Sequence, residues 1–358
     1  MTPRIADPDT PMELVRLEAA KLSFAPMIFQ AVRSLKAIGG LDLARERGLR
    51  GVTAKDLVSL ANVSDYAASL LLEAGLAAGL FAYDEAVDPE RFVITRLGAF
   101  WNLDPMSQVN TEFVHHVCYR GAFDLDRSLR SAAPVGLATI SSAPTVYEGL
   151  AKLDPEVRSA WFAFDHFYSD GVFQSALEDL PDNVSHLVDI GGNTGRFARL
   201  FAEHRPRARV TLVDLPNQVA LAREHLAQTP ASDRVEFFPT DLLAFDGQLP
   251  AADVYWASQF LDCFSPDQIV HILKVVRRSM RPDSRLIIVE TFWNRQRYDA
   301  ARYCVIATSL YFACIANGNS RMYHSETFKD LVRAAGLRIE HERHDMGVSH
   351  SLLRCAPT

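Results

Sequence analysis

Three short stretches hold residue types able to bind and activate a small molecule: VDIGGNTGRF (188–197), VDLP (213–216) and YWASQFLDCFS (255–265). In the first, Gly191, Gly192 and Gly195 follow an apolar run and open an amphipathic one. A turn of this kind bends sharply and lets the backbone approach a ligand, with the N–H groups of the next helix pointing at it. Asp214 closes a second β-branched run, where a carboxylate can accept both hydroxyls of a ribose. Asp241, in PTDLL (239–243), follows a third run, within reach of an adenine edge. The fourth run ends in Asp262 and Cys263, an acid and a thiol at the end of what reads as a buried strand.

A glycine turn alone is shared by binders of NAD, FAD and S-adenosylmethionine (SAM). GGNTG departs from GxGxxG and lacks the third glycine that a pyrophosphate loop wants. SAM has no pyrophosphate to hold, so the spacing favours SAM over NAD. The ordered set VDIGGNTG, VDLP, PTDLL is similar to the SAM site of plant and bacterial small-molecule O-methyltransferases, the caffeic acid and acetylserotonin type. The similarity runs over nearly the whole chain, with Asn193 where the family usually has a glycine. It implies that Gly191 and Gly192 face the cofactor, Asp214 and Leu215 hold its ribose, and Asp241 and Leu242 flank its adenine. Ser258 falls where the family often has a Lys or Ser near the cofactor.

Family members usually carry His-Asp-Trp after the fourth strand, the His acting as general base. The matching residues here are Asp262-Cys263-Phe264. A phenol has a pKa of about 10 and a free Asp about 3.9, a gap of roughly 8 kcal/mol against proton transfer. Burial raises an Asp and narrows that gap, and alignment alone supplies about 7–11 kcal/mol. Asp262 therefore reads as an orienting, hydrogen-bonding group more than as a strong base. By the resemblance Glu290 is one of two acids bracketing the base, and Met322 occupies the place of the other. His324 is either a substitute for that acid or an ordinary surface or core histidine. With the usual His missing, two outcomes stand: O-methylation of a phenol, or methylation of the ring carbon ortho to it. A methyltransferase-like protein that binds SAM with other or no activity is the third.

For the acceptor, the resemblance matches Phe164 to an aromatic against the substrate ring, Tyr168 to a common Met, and Asn317 to a polar contact. His166 and Asp165 either read a polar substituent or form a His–Asp pair between helices. The aromatic stretch SAWFAFDHFYSDGVF (159–173) is either core packing or the wall of a pocket for a flat ligand. The acceptor is expected to be a small aromatic, free or carrier-bound.

The elements that must position these residues divide near residue 181. From 186 on, five β-branched or aromatic runs alternate with helical stretches, which predicts a parallel doubly wound sheet. LRIEHER and VSHSLLR then lie too close for anything but an antiparallel pair. The expected fold is α/β, a class I SAM-methyltransferase sheet with an antiparallel last strand, after a mainly helical winged-helix dimerisation domain. Expected bounds are 1–107 for that domain, 108–180 for a helical acceptor-pocket region and 181–358 for the SAM-binding domain. In the first, Thr53 and Ser64 stand as N-caps and RFVITRLG (91–98) as a wing strand. The second helix has no Lys or Arg from Asp65 to Ala82, which disfavours a DNA groove and favours packing against a second copy. The greasy stretch 67–82 is too short to span a bilayer and reads as a core helix.

A net charge of −7 argues against nucleic acid as a partner. Five dispersed cysteines without a CxxC pair predict neither metal nor disulfide framework and fit a reducing cytoplasm. The N-terminal MTPRIADPDTPMEL has no apolar core, so no secretory signal is expected.

Overall fold

In the computed structural model, residues 9–83 and 91–358 are described. Most of the N-terminal stretch read for a signal, Met1–Pro8, lies outside them. The chain forms two compact units, Met1–Thr111 and Glu112–Thr358.

In the first unit, Thr53 caps helix Ala54–Ala61 through a reciprocal bond with Asp56, and Ser64 caps helix Asp65–Ala77. Strand β1 (Phe81–Tyr83) pairs antiparallel with β2 (Phe92–Ile94), giving the helix–helix–wing outline. The wing is shorter than 91–98, because Thr95 caps a new helix, Arg96–Leu103. Helix Asp65–Ala77 is no core helix: Ala68, Leu72 and Gly75 face inward, while Tyr66 and Leu70 are exposed. With so many apolar residues, one stripe is buried and a second is left on the surface.

The second unit holds β3 (His186–Ile190), β4 (Arg209–Asp214), β5 (Val235–Pro239), β6 (Val254–Ser258), β7 (Arg285–Glu290), β8 (Leu337–Met346) and β9 (His350–Pro357). Their order is β5-β4-β3-β6-β7-β9-β8. The first five are parallel, and β9 runs antiparallel to both β7 and β8. Helices cover both faces, so the parallel strands are buried on two sides and read as near-continuous apolar runs. The strand order reverses between β3 and β6, and ligands of such sheets bind at the carboxyl ends flanking that point.

Outside the sheet, the helical segment 112–180 belongs to this unit. Its longest helix is Pro155–Ala176, started by a proline in the first turn. The Trp161 Nε1–H donates to the Tyr311 hydroxyl at 2.7 Å, joining that helix to helix Asp299–Tyr311. The stretch Asp299–Ala316 is long and apolar enough, by length and composition, to cross a membrane, and a third of it is buried.

At the opposite end from the glycine turn, Asp253 fastens the starts of β3 and β6. Its Oδ2 accepts from Ser185 N and Oγ, both at 2.7 Å, and from His186 N at 3.0 Å. These bonds and Arg281 hold its carboxyl below the ordinary value, against the opposing effect of burial. Asp253→Ala is expected to cost about 1–3 kcal/mol in urea unfolding near neutral pH, without changing SAM affinity. Because the folded pKa is the lower one, this contribution is present above the unfolded value and is lost as pH falls through the folded one. The variant and the parent should therefore converge in acid.

Candidate active site

Beyond β3 the chain turns at Gly191, whose φ of +72 lies in the region that favours glycine. A Cβ there would sit 2.2 Å from the Phe260 ring. Asn193 also takes a left-handed conformation, φ +48, which Asn tolerates better than most side chains. That explains how this turn works without the family's third glycine. The Asn193 N–H donates to Asp214 Oδ2 at 2.8 Å, so the end of β4 fixes the turn after β3.

These groups open on one cavity of about 670 Å³, within the size range of small-molecule sites. Gly191, Asp214, Leu215, Asp241 and Leu242 line one part of it. Phe113, Tyr147, Trp161, Phe164 and Tyr311 form an aromatic part. Phe113 and Phe164 stack there with centroids 3.9 Å apart. Asp262 lines the same cavity, as do Asn317 and Met322. Thus the aromatic stretch 159–173 supplies both core and wall: Trp161 and Phe164 reach the cavity, and Ala160 and Val172 are buried.

A small recess adjoins the glycine turn, lined by Gly192, Ser258, Asp165 and His166 among others. Around it the Ser258 and Thr194 hydroxyls, Asn193 Oδ1 and Asp189 Oδ2 are buried with no hydrogen-bond partner among the described residues. Buried polar groups are normally satisfied, so this set is suited to the amino-acid end of a ligand whose nucleoside end meets Asp214 and Asp241. SAM has that shape and polarity, and the residues present fit it.

The structure relocates several residues chosen from the sequence. Asp262 is not the last residue of β6, which ends at Ser258; it sits in a short helical turn, Leu261–Cys263. Glu290 does not line the cavity. Its Oε1 accepts from Phe260 N at 3.1 Å and Leu261 N at 2.8 Å, so it holds the Asp262 turn from behind. Burial, reinforced by the Asp262 charge, pushes the Glu290 carboxyl far up. Tyr168, one turn further along the same helix face, packs on Phe164 at 4.9 Å and does not line the cavity. His166 and Ser258 border the recess and not the acceptor part. Asn317 reaches the cavity wall, but its Oδ1 accepts from Asn319 N, Ser320 N and Ser320 Oγ, and its Nδ2 donates to the Cys263 carbonyl. His324 caps helix Ser325–Ala334, its Nδ1 accepting from Glu326 N at 3.2 Å, and it stands against Trp293. Its role is structural, the second of the two readings. His166 and Asp165 lie on one helix, 3.7 Å apart, so they are no pair between helices; Asp165 instead accepts from Asn193 Nδ2 at 3.1 Å.

Burial is the main cause of every raised carboxyl here: Asp262 to about 6, Asp214 to about 6, Asp165 to about 7. Sequence reading missed Tyr147 and Gln259. Tyr147 lies in an unremarkable helical segment with no motif to mark it. Gln259 lines both spaces, takes φ +47, and its amide lies 2.8 Å from His350 Nε2. Its place directly after a strand that faces the switch point is the signal that pointed to it.

A doubly wound sheet with this strand order, a glycine turn at its switch point and acids ending β4 and following β5 defines the SAM-dependent methyltransferase class. Comparison with known proteins agrees. The O-methyltransferase domain model matches residues 171–338 and the Dimerisation2-like domain model residues 16–92. The chain carries an O-methyltransferase domain over residues 171–338 and is a SAM-dependent methyltransferase, with SAM as its cofactor. It is similar to L-tyrosine C(3)-methyltransferase of Streptomyces lavendulae, 24% identical over 81% of this chain and 78% of that protein. It is also similar to the mitomycin biosynthesis 6-O-methyltransferase of Streptomyces lavendulae, 29% identical over 43% of this chain but only 42% of that one. The solved structure of the mitomycin 7-O-methyltransferase MmcR shares the fold, with a TM-score of 0.71 at 21% identity, over 97% of this chain and 99% of that one.

Gly191→Ala would force a Cβ against Phe260 and strain the turn by about 1–3 kcal/mol. Calorimetric titration is expected to show SAM binding weakened by about tenfold or more, with the fold retained by circular dichroism.

Proposed function

We propose that this enzyme of small-molecule biosynthesis transfers the SAM methyl group to a small hydroxylated aromatic, at the phenol oxygen. The observation that supports this reading is that Asp262, the glycine turn and a cluster of aromatic side chains line one cavity. When bound, SAM supplies a methyl carbon made electrophilic by a sulfonium. The chain's own task is to hold the acceptor in line with that carbon and to take up its proton.

In this reading Gly191, Gly192 and Ser258 border the cofactor's amino-acid end, Asp214 and Leu215 its ribose, and Asp241 and Leu242 its adenine. Phe164, stacked on Phe113, abuts the acceptor ring, with Met322 closing the wall. Asp262 accepts the phenol O–H, and Glu290 acts as a positioning residue through the turn it holds. An Asp at about 6 against a phenol at about 10 leaves a gap of roughly 5 kcal/mol, down from about 8 for a free Asp. Proton acceptance by Asp262 at the moment of attack is therefore within reach, at a contribution of about 10²–10⁴-fold. The N-terminal unit, matched by a dimerisation-domain model, is read as the pairing surface of a homodimer.

A second reading, attack by the ring carbon ortho to the hydroxyl, is favoured by the long alignment with a tyrosine C(3)-methyltransferase. There Asp262 holds the hydroxyl proton and the ring edge faces the methyl. NMR of the product from a phenol panel separates the two: an aryl methyl ether is expected, and a new aryl C-methyl signal would select the second.

Asp262→Asn is expected to lower kcat by about 10²–10⁴-fold while leaving the SAM dissociation constant near its original value. The parent should lose activity about tenfold per pH unit below about 6, where the Asp262 carboxylate is protonated. Because Asp214 titrates in the same range, SAM affinity is measured across the same pH values. A limb that belongs to Asp262 persists at saturating SAM and disappears in Asp262→Asn.

A further inference from the structure

The charge lining the cavity is one-sided. Five carboxylates line it, those of Glu148, Asp165, Asp214, Asp241 and Asp262, and among the described residues no Lys, Arg or His does. The guanidinium of Arg196, which acts on Asp165, is bonded to Asp170 in the adjoining recess. Its charge is thereby answered by another acid.

The cofactor brings two positive groups and one negative, a net charge of +1. In the proposed reading Asp214 and Asp241 meet its neutral ribose and adenine, and Glu148 is exposed to solvent. Asp165, half-buried, and Asp262, buried, remain on the lining of the same cavity. Asp165 also borders the recess given to the cofactor's amino-acid end, whose ammonium and carboxylate cancel, so the sulfonium alone is left to answer the two acids. Unpaired carboxylates away from water are costly and either bind a proton or meet a cation.

An independent group on the same lining points to a hydrogen-bond donor as the missing partner. Gln218 is 4% exposed and lines the cavity, and its Oε1 has no hydrogen-bond partner among the described residues. Phe113, Trp161 and Phe164 line the same cavity, and aromatic faces attract cations.

We propose that the acceptor is an aromatic carrying a protonated amine, held by Asp165 against the aromatic wall, and that the cavity rejects acceptors with a free carboxylate. This rests on the methyltransferase reading and names the substrate class of the same site. Asp165 acts here on binding; Asp262 keeps its place at the acceptor hydroxyl.

The test is calorimetric titration of the full-length protein loaded with sinefungin, an unreactive SAM analogue with an amine in place of the sulfonium. Three phenols of matched size serve as probes: tyramine, tyrosol and 4-hydroxyphenylacetate. The expected order is tyramine tightest, by about tenfold or more over tyrosol, with 4-hydroxyphenylacetate weaker again by a similar factor. Asp165→Asn is expected to shrink the tyramine-over-tyrosol ratio to within about threefold, a readout that a purely structural loss would not move. No preference for tyramine in the parent protein, because all three bind equally or none binds, would overturn the proposal, as would a tighter carboxylate. Sinefungin binding is measured first. Its failure would count against the methyltransferase reading itself, whereas sinefungin binding without the charge order overturns only this inference.

Discussion

Everything at the site depends on a buried carboxylate that never touches the cavity. Glu290 ends β7, and its Oε1 receives the N–H groups of Phe260 and Leu261. That contact decides where the turn after β6 goes. Phe260 then lies across Gly191, near enough that only a glycine fits. Asp262, two residues on, is thereby set on the lining of the cavity. A buried carboxyl group accepting two backbone N–H bonds in a dry interior is a strong fixture. The site is thus built by the packing of one strand end against the next, at the point where the sheet reverses its order.

Much of the fold was legible in the sequence because parallel strands buried on both faces leave apolar runs, as those beginning near residues 186, 208, 252 and 284 do, while the edge strand β5 is only partly buried. The caps at Thr53 and Ser64 were legible for a different reason, since a side-chain oxygen ahead of an apolar period satisfies orphan N–H groups. Helix Asp65–Ala77 was misread because apolar content does not say how many faces a helix buries. Its Leu70 and Leu72 look alike in sequence, yet one is exposed and the other buried.

In the site, residues adjacent to a strand end were readable: Gly191, Asp214, Leu215, Asp241, Leu242 and Asp262 all reach the cavity. Residues on helices were less so. Phe164 and Tyr168 share a helix face one turn apart, yet only Phe164 lines the cavity, and spacing along a face does not show where a cavity ends. Asn317 shows another limit: its type and position suggest a substrate contact, but its oxygen and part of its amide are taken up by the chain itself. Glu290, expected from the resemblance to be an acid bracketing a base, instead accepts backbone N–H groups of the turn that carries Asp262. No pattern in the sequence announces which buried oxygen will accept which N–H.

The central claim is that an acceptor hydroxyl meets Asp262 beside a cofactor seated on the glycine turn. A crystal structure with S-adenosylhomocysteine and a bound phenol tests it most directly. The account predicts the phenol oxygen within hydrogen-bonding distance of an Asp262 oxygen, its ring against Phe164, and the cofactor sulfur on the Gly191 side. A phenol lodged with its hydroxyl turned away from Asp262, or a cofactor seated off the glycine turn, would contradict it.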